Sequence, residues 1–160
     1  MATLTSKEKD LIRESWAVLH ANKAQNAVAF FVLFFRKNPT YKDKFSHFRD
    51  QSLDELAKGG NPKLQVHASS VFDSFEAMVE NIDDVAMTSS LWDNTSRRHY
   101  VSHGIDFHHF EDMETAFLEI LKNKLGAKMT PEIDASWRKL FGIMNVNFKS
   151  NAAKLGKSTT

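Results

Sequence analysis

The 160-residue chain has no cysteine, only three prolines and six glycines, and almost no charge of one sign, with 21 Lys plus Arg against 20 Asp plus Glu. Each shortage removes a class of function. Without a thiol there is no disulfide framework, thiolate metal site, iron–sulfur cluster or cysteine nucleophile, so any metal must be held by imidazole or carboxylate. A formal charge of +1 creates no global field for nucleic acid or anionic lipid, and no nucleic-acid partner is expected. No apolar run approaches the length of a bilayer span, and Met1 to Lys9 lacks the apolar stretch of a secretory signal. The expectation is a cytoplasmic protein with no membrane partner. Strand signals are missing too: apolar and polar residues do not alternate over any sustained run, and no Asn-Gly or Asp-Gly marks a hairpin.

What is abundant is phenylalanine, 13 residues beside three Trp and two Tyr. That is a large, flat, apolar surface without a polar handle. Its periodicity is helical almost throughout, and the fold class read from it is all-α, one globular domain over residues 1–160. Thr5-Ser6-Lys7-Glu8 is a capping-box pattern, and Leu11, Ile12, Ser15, Trp16 and Leu19 form the inward stripe of a first helix ending near Asn22. A second helix, from about Lys23 to Lys37, is apolar around much of its girth and should be central. Asn38-Pro39 breaks it. A short turn then leads to Phe45 and Phe48, and Gln51 to Gly60 reads as a loop with one helical turn.

Asn61-Pro62 is an N-cap with proline at the first helical position. The long helix it opens carries Leu64, His67, Val71, Phe75, Met78 and Ile82 on one stripe. After a loop read over Asp83 to Ser89, Leu91, Trp92, Thr95 and His99 share a face on a helix that stops before Gly104. Asp106 caps a helix with the stripe Phe107, Phe110, Met113, Phe117, Leu121 and Leu125. Thr130-Pro131 starts the last helix, facing the core with Ile133, Trp137, Leu140, Phe141, Met144 and Phe148. The polar tail from about Lys154 is expected to fray.

Two histidines therefore sit on apolar stripes. A single such residue ordinarily hydrogen-bonds a core carbonyl. His67 and His99, however, lie 32 residues apart on separate helices, enough chain for the helices to fold back on one another, and two facing imidazoles can flank a planar metal complex. In this company the chain resembles a globin over nearly its whole length. The resemblance is carried by Trp16 in Leu11-Ile12-Arg13-Glu14-Ser15-Trp16, by Asn38-Pro39 with Phe45 in Lys44-Phe45-Ser46-His47-Phe48, by Asn61-Pro62-Lys63 with His67 and Val71, and by His99-Tyr100-Val101-Ser102-His103-Gly104-Ile105. Ser136-Trp137-Arg138-Lys139-Leu140-Phe141-Gly142 is similar to invertebrate globins, molluscan ones in particular.

The resemblance implies a bundle of seven or eight helices around haem b (iron protoporphyrin IX) that binds dioxygen reversibly for storage or transport, without catalytic turnover. His99 would be the proximal iron ligand and His67 the distal histidine. Phe45 would stack on the haem, Val71 would crowd the ligand site, and Phe31 would add bulk without a hydrogen bond. Phe48 would help to wall the porphyrin and Ile105 would pack on it, with His103 near a propionate and His47 and Ser70 near the haem edge. Arg98 departs from the small hydroxyl residue usual before the proximal histidine of vertebrate carriers, which points to a backbone carbonyl as the imidazole's partner and leaves Arg98 to pair with a propionate or with water. The interval between the two histidines is a few residues longer than in muscle and blood globins, closer to nerve-type globins whose distal histidine itself binds iron. Carbon monoxide and nitric oxide are expected alternative ligands, and the protein is read as a monomer or homodimer. The other readings are a six-coordinate gas or redox sensor, a peroxidase or nitric-oxide dioxygenase, and a haem-free helical module with an apolar pocket. Met78, Met113 and Met144 read as packing, and His20 and His47 as surface groups, although His47 matches a position near the haem edge. His108 and His109, adjacent on a helix, should point about 100° apart, which argues against a zinc cluster with His99 and His103.

Overall fold

The cap signals act as read. In the computed structural model, which describes residues 3–160, Thr5 and Glu8 form a reciprocal capping box at the start of α1 (Ser6–His20). Ser52 and Glu55 do the same for the short α3 (Leu53–Ala57). Asn61 Oδ1 accepts from Lys63 N and Leu64 N to open α4 (Pro62–Glu80), and Thr130 Oγ1 accepts from Ile133 N to open α7 (Pro131–Lys154). Such caps contribute about 1 kcal/mol each by satisfying orphan amides. The remaining α-helices are α2 (Lys23–Lys37), α5 (Val85–Ser102) and α6 (Phe107–Leu125), with 3-10 segments at Pro39–Lys44 and Gly126–Lys128 and no strand among the described residues. Among the described residues no helix is long and apolar enough to cross a membrane.

The structure differs from the sequence reading in three places. First, α5 begins at Val85, not after Ser89, because Asp84 caps it by accepting from Met87 N at 2.9 Å. Second, the tail is tied down: Gly156 turns at φ +69°, Lys157 N donates to Ala152 O, Phe107 N donates to Ser158 O and Ser158 N donates to Asp106 Oδ1. Third, α4 is buried on two faces, since Ala68, Phe72 and Val79 are buried off the expected stripe.

The second face of α4 exists because α2 lies against it. Phe30 and Phe35 are fully buried on α2, and Phe72 meets Phe30 at 5.8 Å and Trp16 at 5.5 Å between ring centroids. Phe75 stacks on Phe117 of α6 at 4.6 Å. Aromatic pairs at these separations add about 0.5–1.5 kcal/mol each to their area burial. Trp137 of α7 is fully buried and donates its indole N–H to Ser15 Oγ at 2.8 Å, joining α7 to α1.

α5 is held differently. Side-chain hydrogen bonds tie it to α7: Tyr100 donates its hydroxyl to Phe148 O at 3.0 Å, and Asn151 Nδ2 donates to Asp93 Oδ1 and Ser96 Oγ, each at 2.9 Å. Where α6 meets α7, Glu114 Oε1 and Asn145 Oδ1 are buried with no hydrogen-bond partner among the described residues. Burial pushes the Glu114 carboxyl up to about 7.

Candidate functional site

The folding back of α5 onto α4 leaves a cavity of about 390 Å³ between them, floored by α6 and α7. Its walls are mostly apolar: Phe31 from α2, Phe45 after the first 3-10 segment, Val71 and Met78 from α4, Leu91 and Trp92 from α5, and Phe110 and Phe148 from α6 and α7. His67 and His99 line the same cavity from its two opposing helices.

His67 meets Phe31 and Phe45 edge-on, at 5.1 and 5.2 Å between ring centroids. Burial, and then the nearby His99 and His103, push its pKa down to about 4, so at neutral pH the ring is uncharged, with one N–H and one lone pair. His99 is fixed by its own helix: Nδ1 lies 2.8 Å from the Thr95 carbonyl, one turn earlier. A carbonyl can only accept, so Nδ1 carries the proton and Nε2 keeps its lone pair. Burial lowers the pKa of His99 too, against the Thr95 bond, which raises it. A carbonyl partner that fixes tautomer and ring angle is the usual support of a metal-binding imidazole. It also answers the sequence question raised by Arg98: the partner of His99 is a backbone carbonyl.

The rim carries basic side chains. Lys44, Arg98 and His103 are exposed yet line the cavity, and Lys44 Nζ reaches the Gly104 carbonyl at 3.3 Å. Broad aromatic walls, an imidazole with a free lone pair and a basic rim suit a planar, apolar metal complex with an anionic edge. These are the requirements of a haem, and the residues present fit it.

Of the residues singled out in the sequence, the structure brings together His67, His99, Phe31, Phe45, Val71, Arg98, His103 and Ile105, with Ser70 at the edge. Two stand apart. Phe48 is buried behind Phe45, stacked on it at 5.0 Å and against Phe35 at 6.0 Å, so it supports the wall without lining it. His47 is exposed and outside the lining; only its carbonyl is used, accepting from Asn61 Nδ2 at 3.4 Å. Met78, Met113 and Met144, read as packing, line the cavity. Lys44, Tyr41 and His109 were missed at the rim. Lys44 adjoins Phe45, and the 3-10 segment that turns it and Tyr41 toward the cavity had no signal beyond Pro39.

Comparison with known proteins agrees with this geometry. The family model described as Globin matches residues 28–147. Cytoglobin-1 of Oryzias latipes is 30% identical over 96% of this chain and 86% of its own length, and a globin of Tritia mutabilis is 30% identical over 90% and 98%. Among solved structures, a double mutant of myoglobin from Aplysia limacina superposes with a TM-score of 0.80 at 30% identity, covering 92% of this chain and 98% of that one. The match spans the helices that build the cavity and both histidine-bearing segments, and the chain belongs to the globin family, whose membership implies haem binding.

Proposed function

We propose that this globin binds dioxygen reversibly, for storage or transport in the cytoplasm, on a haem b held by His99. The observation that carries the reading is that two neutral imidazoles from different helices line one largely apolar cavity, one of them anchored through Nδ1 to Thr95. Bound there, the haem supplies the iron centre for reversible gas binding, which carbon monoxide and nitric oxide share. His99 presents Nε2 as the protein ligand, and the Thr95 carbonyl holds the ring in that tautomer. His67 offers its N–H on the opposite side to a ligand carrying partial negative charge, contributing about 1–3 kcal/mol as a charge-assisted hydrogen bond. Phe31, Phe45 and Val71 exclude the water that would promote oxidation. Lys44, Arg98 and His103 would pair with the propionates at the rim, and Ile105 would pack against the ring.

A second reading has an observation behind it. His99 lies near enough to His67 to disfavour its charged form, and His67 can serve as an internal sixth ligand. The visible spectrum of the ferrous protein decides. One broad band is expected for the carrier, and two sharp bands would mark His67 on the iron. Replacing His67 by Leu should raise the oxygen off-rate about five- to 150-fold, from the hydrogen-bond energy above, and accelerate autoxidation. If both rates are unchanged, the role given to His67 is wrong.

A further inference from the structure

At the first turn of α6, His108 lies outside the cavity lining and His109 borders it beside Tyr41. Ligand atoms of Asp106, His108 and His109 all lie within 4.8 Å of one another. Adjacent helical side chains ordinarily diverge by about 100°, yet the rings of His108 and His109 are 4.0 Å apart and inclined by only 32°. Two contacts account for this. Asp106 N donates to His109 Nδ1 at 3.0 Å, drawing the ring back over the helix start, and Tyr41 packs against it at 4.6 Å. None of the three residues takes part in an ion pair among the described residues.

We propose that Asp106, His108 and His109 form a second metal site, for a borderline divalent cation such as zinc. Two imidazoles and one carboxylate are the donors such ions prefer, and three protein ligands leave one position for water. His109 is partly prepared for the role. Its Nδ1 is also 3.3 Å from the Asp106 carbonyl, so with Nδ1 protonated it donates to that carbonyl and Nε2 is free to ligate, the support pattern seen at His99. The exchange gives up the bond from Asp106 N. Burial, with His108 alongside, keeps His109 below the ordinary histidine range, so it is neutral and available at pH 7. Lys44 and the positive end of α6 oppose a cation. The Asp106 carboxylate offsets the helix end, and Lys44 is engaged with Gly104 O.

The site is tested on the haem-loaded ferrous protein under carbon monoxide, dialysed to equilibrium against zinc chloride. One zinc per chain is expected at micromolar free zinc. His108→Ala, at a partly exposed position, should raise the half-saturating concentration at least ~10-fold and Asp106→Asn should do likewise, while His47→Gln leaves it unchanged. The Soret band and far-ultraviolet circular dichroism report that each variant is folded. Wild-type protein that takes up no zinc at micromolar concentration, or a folded His108→Ala variant that binds as wild type does, overturns the proposal.

Discussion

Glu114 gives a measurable test of how the α6–α7 interface is balanced. Its Oε1 and the Oδ1 of Asn145 are both acceptors, both buried and both without a donor, an arrangement relieved by a proton on the carboxyl. Burial raises that carboxyl from 4.5 to about 7. The folded state thus holds the proton more tightly than the unfolded chain does. The stability it brings is fully present below pH 4.5 and is lost as pH rises through about 7. The full span is roughly 3 kcal/mol, of which about 2 kcal/mol falls between about pH 5.5 and 8. In Glu114→Gln the amide can donate to Asn145 at every pH, which removes this dependence. Urea unfolding of the haem-loaded wild type and variant across that range should show the variant gaining on wild type by about 2 kcal/mol as pH rises. Other titrating groups are common to both proteins and cancel in the difference. Parallel stability curves would refute the reasoning.

Other outcomes follow from the same geometry. His99→Gly should abolish stable haem retention, with partial recovery in added imidazole, read from the Soret band. Arg98→Glu and Lys44→Glu should each speed haem transfer to an acceptor apoglobin, since each puts a carboxylate beside the propionate edge; unchanged transfer rates would remove the rim from haem binding. Phe72→Ala should cost about 3–5 kcal/mol in urea unfolding, because the ring is fully buried between α1 and α2.

His67 and His99 were readable because each interrupts an apolar stripe whose period survives on either side. The walls were readable in part. Phe31, Phe45, Val71 and Ile105 came from the globin resemblance, and the structure puts all four in the lining. Phe72 was missed because a stripe drawn on one face cannot show that α2 covers a second. The start of α5 was misplaced because Asp84 sits in a run of acidic and apolar residues that hid its role as a cap. Phe48 stands behind the wall and His47 on the surface outside the lining, because proximity in sequence to Phe45 does not set which way the chain turns after it. The closeness of His108 and His109 could not be read at all, since it depends on Tyr41, 68 positions before His109 in the sequence.

The polar attachment of α5 has a consequence for cooperativity. Leu91, Trp92, Thr95 and His99 face the cavity, so much of the inward surface of this helix has the prosthetic group as its neighbour. Besides this it is joined to the rest of the protein by the Tyr100 hydroxyl and the Asn151 amide, by the Tyr100 ring against Phe110 and by the Trp92 indole N–H on Met78 Sδ. Withdrawal of the haem should therefore lower the opening free energy of α5 selectively. Its amides should exchange with solvent well ahead of those of α2 and α6, which line the cavity through Phe31 and Phe110 but are also held by aromatic packing on other helices. The helix that supplies the iron ligand would then be the one whose order depends most on the haem being there.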